Sequence, residues 1–279
     1  DAFIQSTQTD LHKDFAGELD PEVIVTRREV RANFKKIKES FAMDLDELPS
    51  QSFRNNAPEA ARFWHPLAAK CCLQVSEPLR WRGGLLSALF KGLGSADECE
   101  NSRALLISQQ SGKNLHAALR TRLVSAIMPE RLSSQHGGIK GGGTDLVAHT
   151  CRAFMHWSRI REHSSVAIFA DIKAAFYSVI RQLVMPSECT DAWICWLLNK
   201  MRVPPEAVQK LRAWMADSER SALLVRAGVS DHLSHMMSAC HSHTFFSLRG
   251  YPKIARTATG SRPGDPCGDI IFNWLFTDV

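Results

Sequence analysis

Val166-Ala167-Ile168-Phe169-Ala170-Asp171-Ile172-Lys173-Ala174-Ala175-Phe176 is the stretch on which the reading of this chain turns. Five apolar residues precede Asp171, the length and character of a buried central strand. A carboxylate at the end of such a strand is fixed by the sheet and open at its edge. That is where a metal-bound phosphoryl-transfer site needs a hard oxygen ligand. A simpler reading is that Asp171 caps a helix running on to Val184. These residues alone leave both readings open.

Downstream, helices are expected over Asp191 to Met201 and Pro205 to Ala216, the second opened by proline in its first turn. Strands are expected over Ala222 to Val225 and Thr244 to Leu248. Gly260-Ser261-Arg262-Pro263-Gly264-Asp265-Pro266 then reads as a tight turn, with a helix over Asp269 to Phe276. Glycines let backbone approach a ligand closely, and amides at a helix start suit phosphates. Taken alone, the segment is an ordinary strand-to-helix turn.

Upstream, Thr144 is placed to cap a helix reaching Arg161, with Leu146, Ala153, Trp157 and Ile160 inward. Ser133 to Gly143 is a Gly-rich loop, and no Lys follows Gly143, so it is not a Walker A motif. Leu115, Leu119, Leu123 and Ile127 mark a helix over Lys113 to Met128, ended by Pro129. Residues 78–112 read as extended pieces at Pro78 to Arg82, Leu85 to Lys91 and Ala104 to Ser108. Val30, Phe34, Ile37 and Phe41 predict a helix over Arg28 to Met43, and a shorter one is expected over Glu59 to Lys70, disturbed by Pro66.

The 279 residues suffice for one large domain or two small ones, and 44% hydrophobic with 23% charged residues is ordinary for a globular protein. No apolar run approaches bilayer length. The first residues show no secretory pattern and no initiator Met, so both ends are expected to be cut from a longer, intracellular chain. Charge is uneven: residues 78–165 hold 12 basic against 6 acidic side chains, which makes this third the candidate polyanion-binding surface. The eight Cys form no paired CxxC framework, and reduced, mostly buried thiols are expected. His232, His235, Cys240, His241 and His243 cluster, but their spacing fits no common zinc site.

The segments around Asp171 and Gly260 together resemble motifs A and B of reverse transcriptases of the non-LTR retrotransposon and group II intron branch. Motif A there reads roughly D-L-x-K-A-F-D, which Asp171, Ala175 and Phe176 match. Motif B reads roughly G-x-R-Q-G-x-P-L-S-P-x-L-F, which Gly260, Arg262, Gly264, Pro266 and Phe272 match. Upstream segments follow in the family's order. Trp81 and Leu89-Phe90-Lys91 resemble the first fingers strand, and Asn101-Ser102-Arg103-Ala104-Leu105-Leu106 resembles N-Y-R-P-I-x-L. Lys113 with Leu119-Arg120-Thr121-Arg122-Leu123 resembles the K-x-x-x-x-x-L-x-x-R-L helix. Gln135-His136-Gly137 and Gly143-Thr144-Asp145 complete the series, so the likeness covers about residues 78–279.

The resemblance implies an α+β fold: a right-hand polymerase fragment with a helical N-terminal extension (1–77), fingers (78–165) and a partial palm (166–279). It implies RNA-directed DNA synthesis from dNTPs on an RNA template with a DNA primer, and no membrane. Asp171 and the Ile172 carbonyl would ligate Mg²⁺, two ions roughly 4 Å apart serving the primer hydroxyl and the leaving pyrophosphate. Phe176 would lie under the sugar, Lys91 and Arg103 would meet the triphosphate, and Gly264 would admit the nucleotide and template. Three positions depart from the pattern: Pro263 replaces a Gln, Tyr177 an Asp, and Cys267-Gly268-Asp269 the usual L-S-P. The family's [FY]-x-D-D hairpin is absent, so these 279 residues are not expected to polymerise alone. Two competing readings are a template–primer-binding remnant without catalysis and a zinc-dependent interaction module.

Overall fold

The computed structural model describes residues 15–38, 43, 47–130, 132–137, 141–172, 175–177, 179–185, 204, 206–209, 222–251 and 253–275. The helices expected over 191–201 and 205–216 lie almost wholly outside them. The chain is mixed α/β, built on a small four-stranded sheet.

Helix α1 (Arg27–Lys35) opens on a capping box: the Glu29 amide donates to Thr26 Oγ1, and the Thr26 amide to Glu29 Oε2 at 2.7 Å. Val30 and Phe34, four residues apart, are its buried face, and Phe34 stacks on Phe53 of α2 (Ser50–Asn55) at 5.4 Å between centroids. Helix α3 (Ala57–Gln74) runs straight through Pro66, four residues longer at its C-terminus than expected. It ends on Val75 in the left-handed conformation, and the reversal carries Glu77 into the interior.

β1 (Gly83–Phe90) and β2 (Ser102–Ile107) form an antiparallel hairpin. Pro78 to Arg82, expected as extended, closes instead into a 3-10 turn at Leu79–Arg82. Helix α4 (Gln110–Ile127) buries Leu115, Leu119 and Leu123 against α1, where Asn114 Nδ2 donates to the Val30 carbonyl at 2.9 Å. Helix α6 (Asp231–His241) leads to β3 (Phe245–Leu248), which pairs parallel with β1 and antiparallel with β4 (Ile254–Arg256). The sheet order β2-β1-β3-β4 thus joins residues from both sides of position 166. Helix α7 (Gly268–Leu275) follows the glycine turn. One hydrophobic core runs from Val23 through Leu119 and Met236 to Trp274, so all three segments of the chain share it. No described helix is long and apolar enough to cross a membrane.

Four expectations are corrected. Residues 163–172 form neither helix nor strand, and Val166, Ile168 and Phe169 are 80%, 90% and 90% exposed. A five-residue apolar run is buried only where neighbours cover it on both faces, and the described sheet is filled by other strands. Helix α5 (Thr144–Ile160) forms, but Leu146, Ala153, Trp157 and Ile160 are exposed, with only Ser158 buried. Its cap residue is Gly143, not Thr144, which is the first helical residue. Leu223–Arg226 is a helical turn rather than a strand, closed by bonds from the Arg226 and Ala227 amides to the Ala222 and Leu223 carbonyls.

Candidate active site

The chain beyond Asp171 is pinned to the glycine turn by two backbone hydrogen bonds. The Gly260 amide donates to the Val179 carbonyl at 2.7 Å and the Ser261 amide to the Phe176 carbonyl at 2.6 Å. Gly260 sits at φ +86°, and a Cβ there would lie 2.9 Å from Tyr177 Cα and 3.0 Å from the Phe176 oxygen. Only glycine fits both conditions. The Phe176 ring meets Phe272 of α7 at 5.1 Å, and Tyr177 Oη donates to the Ala104 carbonyl of β2 at 3.1 Å.

The far side of the turn touches the same strand. A Cβ on Gly264 (φ +91°) would lie 3.4 Å from the Leu106 carbonyl and 4.0 Å from Leu105 Cδ1. Leu105 and Arg103 alternate onto the exposed face of β2, and Leu89 stands opposite Arg103. Lys91 follows β1 directly; its amide donates to the Asn101 carbonyl at 2.8 Å and its Nζ to the Glu100 carbonyl at 2.6 Å. Phe176, Gly264 and the β1–β2 face therefore come together. Lys91 and Arg103 stand farther along the hairpin, Arg103 roughly 10 Å of strand from Leu106. Asp171 and Ile172 stand apart from this group, exposed on the stretch 163–172.

Replacing Gly260 with Ala is expected to destabilise the chain by about 2–3 kcal/mol, summing left-handed strain and overpacking against backbone. Gly250 also has positive φ (+76°), but nothing lies within 4 Å of its missing Cβ. Gly250→Ala should therefore cost only about 1 kcal/mol. Urea unfolding of the two variants side by side separates crowding from strain.

Behind the turn lies a buried polar network that sequence reasoning did not find. His116 of α4 is held at both ring nitrogens, Nδ1 at 2.6 Å from Asp265 Oδ2 and Nε2 at 2.8 Å from Glu77 Oε2. Arg262 Nη1 donates to the Trp81 carbonyl at 2.9 Å, and its Nη2 lies 3.3 Å from Asp265 Oδ2. Burial alone would lower His116, but the Asp265 and Glu77 carboxylates raise it well above its ordinary value. Burial would raise Asp265, but His116 and Arg262 hold it far below the usual carboxylate range. Arg120 grips Asp269 and the Pro266 carbonyl on the outer side. The turn that resembles motif B is thus clamped from α4, from the end of α3 and from β2. Arg262 belonged to the motif, but nothing local marks Glu77 and His116, which are 39 residues apart.

Among the described residues the histidine-rich stretch does not gather into a metal-ligating group of its own. As far as His241 it forms α6, where buried His232 bonds the Cys72 carbonyl at 2.7 Å and the Asp20 amide at 3.0 Å. Exposed His235 bonds the Asp231 carbonyl, and buried His241 the Met237 carbonyl. Cys71, Cys72, Cys240 and Cys267 are buried free thiols, while Cys99 and Cys151 are exposed. The chain matches no protein-family model and no curated protein.

Proposed function

We propose that the chain is the fingers and part of the palm of an RNA-directed DNA polymerase of the non-LTR retrotransposon type. One observation carries the reading: the segment after Asp171 and the Gly260–Pro266 turn, 79 residues apart at Arg181 and Gly260, are bonded side by side beneath the β1–β2 face. A polymerase palm needs those parts adjacent, because one holds the nucleotide sugar and the other lets base and template pass. In this reading Phe176, braced by Phe272, floors the sugar, and Gly264 keeps the path over Leu105 free of side chain. Arg103 and Lys91 supply cationic donors for phosphate oxygens along the exposed face.

Asp171 and the Ile172 carbonyl are oxygen donors of the kind Mg²⁺ takes. Among the described residues, however, Asp171 belongs to no group of three or more metal-ligating side chains. In a second reading the chain grips template–primer without catalysis, through the exposed cations Lys91 and Arg103.

Primer extension decides between them. An RNA template annealed to a DNA primer is offered, with Mg²⁺ and dNTPs, to the chain completed by an Asp-Asp hairpin. Templated products support the polymerase; tight binding without products supports the remnant; neither overturns the proposal. Binding itself should weaken steeply with salt, and Lys91→Ala or Arg103→Ala should each flatten the log–log salt slope by about one unit. A fluorescence-anisotropy titration at several KCl concentrations measures this.

A further inference from the structure

The structure assigns a buried zinc site to Glu77, His116 and Cys240, a set outside the polymerase residues that takes Cys240 alone from the histidine-rich stretch of the sequence. The three residues arrive from separate places: the reversal after α3, the middle of α4 and the end of α6. One ligand atom from each lies within 4.8 Å of the others, and all three residues are buried. Among the described residues they are the group of three or more His, Cys, Asp or Glu donors that meets this spacing. Tetrahedral zinc with nitrogen and oxygen at about 2.0 Å and sulfur at about 2.3 Å holds its donors roughly 3.3–3.8 Å apart. The 2.8 Å between His116 Nε2 and Glu77 Oε2 need open only by about half an ångström to reach that.

Two further observations point to a ligand. Glu77 Oε1 is buried without a hydrogen-bond partner, an acceptor left with nothing to accept. His116 Nδ1 is bonded to Asp265 Oδ2 at 2.6 Å, which aims Nε2 at Glu77. A carboxylate on the far nitrogen of a ligating histidine is the usual second support of a zinc site. The added charge is matched by proton release. Without metal, Glu77 and Asp265 face the His116 ring and the buried Arg262 and Arg82 guanidiniums, with Arg262 Nη1 3.9 Å from Glu77 Oε1. With Zn²⁺, the His116 Nε2 proton and the Cys240 thiol proton leave for solvent. The ion neutralises the Glu77 and Cys240 anions, and Asp265 pairs with Arg262 at 3.3 Å. Zinc here ties α3, α4 and α6 together behind the glycine turn, a structural role.

The test uses the whole chain. It is purified, stripped with a chelator, and titrated with Zn²⁺ against a chelating dye, with folding followed by circular dichroism. One equivalent of zinc should bind and raise the melting temperature. Co²⁺ in its place should give a thiolate-to-metal absorption band of the intensity expected for one sulfur ligand. Cys240→Ser should remove that band, Cys99→Ser should leave it intact, and Asp265→Asn should weaken binding by about 10–100-fold. A folded chain that takes no zinc from the dye overturns the proposal, and so does a cobalt band that survives Cys240→Ser. The wild-type titration stands even where a variant fails to fold.

Discussion

Replacing Arg181 with Met is expected to destabilise the chain by about 3–5 kcal/mol, because several buried carbonyls lose their donor at about 1–3 kcal/mol each before relaxation. Arg181 is buried and makes six hydrogen bonds, none of them to a carboxylate among the described residues. Nε donates to the Gly260 carbonyl at 2.6 Å, and Nη1 to the His241 carbonyl and Thr244 Oγ1, both at 2.8 Å. Nη1 also reaches the Thr257 carbonyl at 3.3 Å, while Nη2 takes the Thr259 carbonyl at 3.0 Å and Thr257 Oγ1 at 3.2 Å. Burial, then the nearby Arg262 charge, pulls its pKa down to about 10, so it is still charged at neutral pH. Methionine matches the stem but leaves four carbonyls, those of Gly260, His241, Thr257 and Thr259, without this donor, and the Thr257 carbonyl keeps the Thr244 hydroxyl. Each unsatisfied buried acceptor costs about 1–3 kcal/mol before relaxation. Lysine offers three donors from one point rather than a planar fork, so Arg181→Lys should recover only part of the loss. Equilibrium urea unfolding at neutral pH checks both variants. A Met variant within about 1 kcal/mol of the parent would mean that these loops re-pair among themselves or with water.

The contrast between Arg181 and the glycine turn shows what the sequence could and could not disclose. Gly260-Ser261-Arg262-Pro263-Gly264 announces a turn by composition, because left-handed φ at two positions demands residues without Cβ. Thr26 and Glu29 announce a helix start in the same local way. The periodic leucines of α4 gave its core face, since Leu115, Leu119 and Leu123 are buried where expected. Arg181 carries no such mark. Its partners are 60–79 residues downstream, and no local rule turns a lone Arg after an apolar pair into the hub of three loops. The same holds for His116, bonded to residues 39 and 149 positions away. The failed readings have their own cause. Ala222 to Val225 is a short apolar run, for which periodicity does not separate strand from helix. In α5 the apolar period predicted a helix correctly, but a period says nothing about whether anything packs on it, and Trp157 and Ile160 are exposed. The strand reading of Val166 to Ala170 failed in that way too: apolar character registers a need for neighbours, and neighbours come from elsewhere in the fold.

Asp171→Ala should separate stability from activity completely. Asp171 lies on the exposed irregular stretch 163–172, outside the core and the buried network. An exposed substitution away from caps and ion networks shifts stability by about 0.5 kcal/mol or less. The same change removes the carboxylate that the proposed polymerase uses to hold metal over the primer end. Loss of a metal ligand of that kind should lower primer extension at least about 10³-fold, roughly 4 kcal/mol of transition-state stabilisation. Binding of template–primer should hardly change, because in the proposed reading affinity would come mainly from phosphate contacts along residues 78–165. Three measurements on one variant therefore carry the argument: unfolding midpoint unchanged, anisotropy unchanged, extension abolished in the chain completed by an Asp-Asp hairpin. Asp145→Ala, exposed in the first turn of α5, serves as the control that should leave all three unchanged. Extension that survives in the Asp171 variant would remove this residue from the metal site and with it the polymerase assignment of the whole segment. A lowered unfolding midpoint would instead show that Asp171 supports the fold through contacts of its own, the simpler cap-like role its position before a helical turn also suits.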